Sequence, residues 1–177
     1  MSYKFSPALE KKFEWLKSRY PVQDAVLIPL LHFVQNEVGY LSLDAMEHVA
    51  EKMNISPARV KEVASFYSLF RFEAGGKYVL QVCHNLTCYL KGSDQLLEWM
   101  EKNMELDDSG NSKDGVFRVE RVECLASCGT APVIQANNWD YFEELNLEKL
   151  QKIVEALRAG KWACASYEDR IQEGSVA

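Results

Sequence analysis

The 177-residue sequence lacks any long hydrophobic run. A membrane-spanning helix needs about 20 consecutive apolar residues, and the longest candidate, residues 25–31, is far shorter. The N-terminus lacks the apolar core of a secretion signal and the arginine-rich character of an organelle transit peptide. We therefore expect a cytoplasmic protein that does not insert into a membrane by itself.

The sequence also lacks an excess of positive charge. It has 20 Lys and Arg against 26 Asp and Glu, a formal net charge of -6, which argues against a nucleic-acid partner. It contains no Gly-x-Gly-x-x-Gly, no Walker loop and no Ser/His/Asp signature. No motif therefore indicates that this chain itself binds a nucleotide or a flavin, and we predict no catalytic residue in it.

Cysteine is scarce but clustered. Four of the five cysteines form two close pairs, Cys83 with Cys88 and Cys124 with Cys128, and each pair follows a strand-like run. In a reducing compartment such clustering indicates metal or redox chemistry, and an odd cysteine count weakens a pure disulfide framework. The fifth, Cys164, lies beyond the last predicted helix, and we interpret it as a bystander thiol.

Several chemistries compete for the two pairs. In a [2Fe–2S] cluster each iron needs two protein thiolates, so one close pair per iron suffices. Structural zinc usually uses Cys-x2-Cys knuckles, and thiol–disulfide exchange favours Cys-x-x-Cys at a helix start. A [4Fe–4S] site more often shows a Cys-x2-Cys-x2-Cys run. The spacing favours [2Fe–2S], with zinc, a redox pair or four unconnected thiols as the alternatives. His84 beside Cys83 suggests a mixed His/Cys cluster, but all four paired cysteines are present.

The residues around the pairs suit an anionic cluster, which needs hydrogen-bond donors from open loops. Thr87 offers a hydroxyl, and Glu123 beside a ligand would disfavour an added electron, so we predict a low reduction potential. The small residues that permit close backbone approach are Ala126, Ser127, Gly129 and Thr130.

Two regions and a tail are predicted, giving an α+β fold. Residues 1–74 show four short amphipathic helices, three of them with Ser-Pro or Ser caps, which we expect to pack as an N-terminal helical bundle. Residues 75–160 show the order strand, helix, strand, hairpin, helix, which is typical of a thioredoxin-like domain. Residues 161–177 have little periodicity and form a C-terminal tail.

Three local features carry secondary predictions. The aromatic stretch, within residues 66–72, could be a docking face or part of the bundle core. The acidic pair Glu143 and Glu144 is interpreted as solvated surface. The Ala131–Pro132 peptide invites a cis bond, and its state is left open. The aromatic residues are Phe66, Tyr67, Phe70 and Phe72.

The chain resembles the small [2Fe–2S] subunit, NuoE-type or 24-kilodalton-type, of the peripheral arm of NADH:quinone oxidoreductase, respiratory complex I. Asn85-Leu86 and Ser127 depart modestly from the family pattern. The matching segments are residues 28–32, 39–42, 56–60, 63–67, 82–83 with Cys88, 92–93, and 123–128 leading into 131–135.

The resemblance implies a thioredoxin-like [2Fe–2S] ferredoxin domain that follows the helical bundle, with Cys83, Cys88, Cys124 and Cys128 as the metal ligands. It implies a permanent partner, the larger flavoprotein subunit that binds FMN and NADH. Hydride chemistry takes place there, and the cluster, close to the FMN, accepts one electron. It also implies a place in a multisubunit NADH dehydrogenase, peripheral on the inner face of the cell membrane.

Two alternative electron-transfer functions remain at this point. One is the equivalent diaphorase subunit of an NAD-linked hydrogenase or formate dehydrogenase, which uses the same module. The other is a freestanding thioredoxin-like ferredoxin, against which the N-terminal bundle and the tail argue. A structural zinc module without a redox role is the remaining possibility.

Overall fold

The computed structural model describes residues 3–162. These residues form two compact units, which divide between Ala74 and Gly75. Within the described residues, no helix is long and apolar enough to cross a bilayer. Cys164 and most of the predicted tail lie outside the described residues.

The first unit is helical, as predicted. Three of its helices begin at serine caps: the hydroxyls of Ser6, Ser42 and Ser56 each accept a hydrogen bond from the backbone N–H three residues later. Gly39 and Asn54, in left-handed conformations, end the second and third helices. The helices are α1 (Pro7–Arg19), α2 (Leu27–Val38), α3 (Leu43–Met53) and α4 (Pro57–Phe66).

A buried amide organises the segment after α4. The Gln35 side chain donates to the Leu69 carbonyl at 2.9 Å and accepts from the Arg71 N–H at 2.7 Å. Satisfying these backbone groups directs Phe70 into the core, where its ring lies 4.7 Å from that of buried His32.

The aromatic stretch is therefore divided between core and surface. Phe70 is buried, whereas Phe66 is 80% exposed, and Tyr67 and Phe72 are also exposed. Of these four side chains, Phe70 alone is part of the bundle core. For the other three side chains, a docking role stays a prediction.

The second unit is a four-stranded sheet with helices. The order is β2-β1-β3-β4, with β1 and β2 parallel and the other neighbours antiparallel. Together with the first unit, it confirms the predicted α+β class. A short helix within the first cysteine loop was not predicted. The elements are β1 (Tyr78–Cys83), α5 (Leu86–Leu90), α6 (Ser93–Asn103), β2 (Phe117–Val122), β3 (Ile134–Ala136), β4 (Asp140–Phe142) and α7 (Leu147–Arg158).

The predicted hairpin joins β3 and β4 through a tight turn. Asn137 and Asn138 have φ of 51° and 69°, and positive φ at both central residues suits the twist of a tight hairpin. The Asn137 carboxamide oxygen accepts a 2.8 Å hydrogen bond from the Val79 N–H. The turn is thereby fastened to β1, beside the β3 strand.

Gly76 permits the close approach of the two parallel strands. A Cβ atom at this position would collide with the backbone of Phe117, the first residue of β2. Phe117 itself is fully buried in the core between the sheet, α6 and α7. The glycine is therefore a packing requirement at the entrance of β1.

Candidate metal centre

Parallel pairing of β1 and β2 brings the two cysteine pairs to one edge of the sheet. Cys83 is the last residue of β1 and lies opposite Val122, the last residue of β2. Cys124 follows two residues later. Because parallel strands end at the same edge, the two cysteine loops begin side by side.

The first loop folds at once into α5, which carries Cys88. Asn85 precedes the helix, and its side-chain oxygen accepts a hydrogen bond from the Leu86 N–H at 3.0 Å. Five helical residues are too few to show hydrophobic periodicity, and the asparagine cap was the one available signal.

The structure brings all four predicted ligands together as free thiols. The Cys124 and Cys128 sulfurs lie 3.7 Å apart. Cys88 contacts Cys83, and Cys128 lies close enough to both of them to interact electrostatically. Across residues 3–162, no three His, Cys, Asp or Glu side chains converge on a single ion. The sulfurs are instead grouped as two pairs.

The pKa values of these thiols indicate that the four sulfurs need a positively charged centre to be deprotonated together. Burial, with a further contribution from Cys83, raises the pKa of Cys88 to about 11. A hydrogen bond with Cys124 raises the pKa of Cys128 above its ordinary value. Thiolates this close together repel one another, so a cationic centre is required to hold all four deprotonated. The donor set therefore fits an iron–sulfur cluster, in which each iron takes two thiolates.

The two pairs differ in burial. Cys83 and Cys88 are each 2% exposed and pack with Val133, whereas Cys124 and Cys128 are exposed. One half of the site is consequently in the protein interior and the other half faces the surface.

Hydrogen-bond donors already point at the sulfurs. Ala126, at φ 60°, directs its N–H to the Cys124 sulfur at 3.3 Å. The Thr87 side chain acts to lower the pKa of Cys128, and the Val133 backbone acts to lower that of Cys88, each against larger effects that raise it. Ala126 thus makes the close backbone approach expected of a small residue in this loop, and the donor role of Thr87 stays a prediction. Such donors stabilise negative charge on cluster sulfurs.

Two carboxylates contact the cysteine loops. Glu123 accepts a 2.8 Å hydrogen bond from the Asn85 amide. Glu143 accepts hydrogen bonds from the hydroxyls of Ser127 and Thr130, the latter at 2.7 Å, and these bonds hold the pKa of Glu143 below its usual value. Glu143 is exposed, as expected of solvated surface, but it also contacts the second loop, which sequence reasoning missed.

Next to this loop, the Ala131–Pro132 peptide is cis. A sheet edge with four thiols in two pairs, one of which accepts a backbone N–H, has the ligand set of an iron–sulfur protein. The chain belongs to the thioredoxin-like [2Fe–2S] ferredoxin family, whose model matches residues 13–158. This membership confirms the predicted fold and the predicted [2Fe–2S] cofactor.

Two relatives of this chain are subunits of NADH-quinone oxidoreductases. The chain is 40% identical over 146 residues to NADH-quinone oxidoreductase subunit 2 of Thermus thermophilus, covering 81% of each chain. It is 37% identical over 158 residues to a subunit of the NADH-quinone oxidoreductase of Rickettsia typhi, covering 85% of this chain and 92% of that one.

A similar fold occurs in a solved structure of an NAD+-reducing [NiFe]-hydrogenase. The match has a TM-score of 0.63 at 16% identity and covers 73% of this chain. It covers 23% of the hydrogenase chain, so the common module is a minor part of that larger protein.

Proposed function

We propose that this chain is the [2Fe–2S] electron-transfer subunit of an NADH dehydrogenase module of the NADH:quinone oxidoreductase type. In this proposal Cys83, Cys88, Cys124 and Cys128 are the cluster ligands. The observation that carries it is the meeting of two thiol pairs at the shared end of β1 and β2. We infer the parent enzyme from the names of the two relatives, each of which aligns with most of this chain.

The cluster, when bound, supplies a centre that gains or loses one electron. The chain's own residues set its surroundings. The buried Cys83 and Cys88 would hold it from the interior, and the exposed Cys124 and Cys128 would hold it at the surface, where a partner could exchange electrons with it. The Ala126 N–H lies where it stabilises the added negative charge.

The partner we propose is a larger flavoprotein subunit that binds FMN and NADH. The sequence has no nucleotide or flavin motif, so a one-electron centre here needs another chain for hydride chemistry. The Thermus and Rickettsia relatives are both subunits of an oxidoreductase. The assembly would be peripheral on the inner face of the cell membrane. Within the chain, residues 75–160 are the proposed cluster domain, with the bundle of residues 1–74 before it and the tail 161–177 after it.

The test is anaerobic purification with the candidate flavoprotein, followed by iron, acid-labile sulfide and zinc analysis and EPR after dithionite reduction. We expect about two irons and two sulfides per chain and a spin-one-half signal. Zinc without labile sulfide would overturn the proposal. Nickel or molybdenum in the purified complex would assign the chain to a hydrogenase or formate dehydrogenase instead.

Single Cys→Ser variants test the ligands. Each of the four proposed ligands, when replaced, should lower iron and sulfide content and change or abolish the EPR signal. Cys164→Ser is the matched control, because it removes a thiol outside the two pairs and should leave cluster content unchanged. Full cluster content and an unchanged EPR signal in any one of the four variants would remove that residue from the ligand set.

A further inference from the structure

Two hydroxyls that flank Cys128 converge on one carboxylate. Ser127 and Thr130 both donate to the same oxygen of Glu143, and their own oxygens lie 2.7 Å apart. A hydroxyl has a single hydrogen to donate. While both hydrogens are directed to Glu143, neither hydroxyl can donate to a cluster sulfur.

Glu143 is held from the end of a strand. It follows β4, whose last residue, Phe142, is buried in the core. The backbone on its other side is tied to the loop as well: the Glu144 N–H donates to the Thr130 carbonyl at 2.7 Å, and the Leu145 N–H to that of Pro132 at 3.2 Å. The backbone that carries the Glu143 carboxylate is therefore held in place on both sides.

The loop that it contacts has less support of its own. Between the end of β2 and the start of β3, the regular structure is one short 3-10 turn, Cys128–Thr130. Both proposed ligands on this loop are exposed. Cross-links from outside the loop consequently matter for the placement of Cys124 and Cys128.

We propose that Glu143 is a positioning residue for the exposed half of the cluster site. It ties the ligand loop to the end of β4 through Ser127 and Thr130, and it keeps both hydroxyl hydrogens away from the cluster sulfurs. This inference rests on the proposed function, because it requires Cys124 and Cys128 to be ligands.

The two actions have separable consequences. Without the hydrogen bonds to Glu143, the loop that carries Cys124 and Cys128 should be more mobile, so the protein should release iron faster. The freed hydroxyl hydrogens can turn to other acceptors, among them the Ser127 carbonyl, 3.2 Å from the Thr130 hydroxyl, and the sulfur of the adjacent Cys128. Hydrogen bonds to sulfur favour the reduced, more negative cluster. Both effects should be moderate, because exposed interactions of charged groups are screened by solvent.

The experiment compares holoprotein variants Glu143→Ala and Glu144→Ala, because alanine, unlike glutamine, leaves no oxygen to accept from the two hydroxyls. Each removes one negative charge at neighbouring positions, so a general charge effect is common to both. Iron transfer to a chelator and EPR-monitored redox titration are the measurements. We expect iron loss in Glu143→Ala to be a few-fold faster than in Glu144→Ala, and its midpoint potential to be more positive.

A second comparison identifies the hydroxyls as the link. In the Ser127→Ala/Thr130→Val background, Glu143→Ala and Glu144→Ala should give the same iron-loss rate and the same potential. A difference that persists there would overturn the inference, as would equal behaviour in the native background. These failures differ from failure of the proposed function, which appears as absent iron and labile sulfide in the unmodified protein.

Discussion

The Asn85 side-chain amide donates a 2.8 Å hydrogen bond to the Glu123 carboxylate, across the gap between the two cysteine loops. Glu123 directly precedes Cys124, and Asn85 caps the helix that carries Cys88. The other Glu123 oxygen lies 3.7 Å from the imidazole of His84, the neighbour of Cys83. A single exposed carboxylate thus joins the loops that hold the two thiol pairs.

Glu123→Gln should raise the midpoint potential of the cluster. The negative charge beside Cys124 disfavours the added electron, and glutamine keeps an oxygen for Asn85 while removing that charge. A rise on the order of tens of millivolts is expected, since about 59 mV corresponds to a tenfold change for a one-electron couple. The measurement is an EPR-monitored redox titration of the holoprotein.

Asn85→Ala is the matched control for that prediction, because it removes the hydrogen bond but leaves the charge. Its potential should move less than that of Glu123→Gln. An unchanged or lower potential in Glu123→Gln would show that the carboxylate does not set the potential.

The stability of the helical unit should fall in mild acid because of His32. Burial lowers the pKa of this imidazole from 6.5 to about 4. Between these pH values the unfolded chain binds a proton that the folded chain does not, so stability decreases as pH falls from about 6.5 to about 4 and is unaffected above that window. The loss amounts to at most about 3 kcal/mol.

Urea unfolding of wild type and His32→Leu at several pH values measures this effect. The pH dependence in the window should become shallower in His32→Leu, whatever its absolute stability. His84→Gln is the control, since that side chain is 41% exposed. Identical pH dependence in wild type and His32→Leu would contradict the prediction.

Asn137→Ala should destabilise the second unit by roughly 1–3 kcal/mol, because it leaves the buried Val79 N–H without its partner and places alanine at φ 51°. Thermal or urea unfolding measures the loss. Asn137→Gly relieves the backbone cost but not the missing hydrogen bond, so its loss should be smaller. Equal stability of Asn137→Ala and wild type would show that the turn does not depend on either interaction.

Gly76→Ala should be strongly destabilising, by several kcal/mol or to the point of preventing folding, because the new Cβ would collide with the Phe117 backbone. Gly129→Ala is the matched control. A Cβ there meets nothing within 4 Å, and its φ lies outside the left-handed region. Circular dichroism and thermal melting compare the two, and a folded Gly76→Ala protein of wild-type stability would contradict the packing argument.

Much of the fold could be predicted because its signals are local. The serine caps at Ser6, Ser42 and Ser56, the left-handed stop at Asn54 and the Asn137–Asn138 turn each depend on neighbours within a few residues. Such interactions are encoded by short stretches of sequence. The pairing of the cysteines along the chain is local in the same sense, and it correctly indicated the [2Fe–2S] family.

The short helix α5 escaped prediction because five residues carry too little periodicity. The aromatic stretch illustrates a related limit: spacing did not separate buried Phe70 from exposed Phe66, because the deciding contact is the hydrogen bonding of distant Gln35.

The sequence by itself determined the helices other than α5, the strands, the hairpin and the two thiol pairs, since each arises from residues close together in the chain. Only the tertiary structure decided that Cys83 and Cys88 are buried while Cys124 and Cys128 are exposed. It also placed Glu123 against Asn85, 38 positions away, and Glu143 against Ser127. The physical reason is the parallel pairing of β1 with β2, a long-range contact that brings both loops to one edge of the sheet.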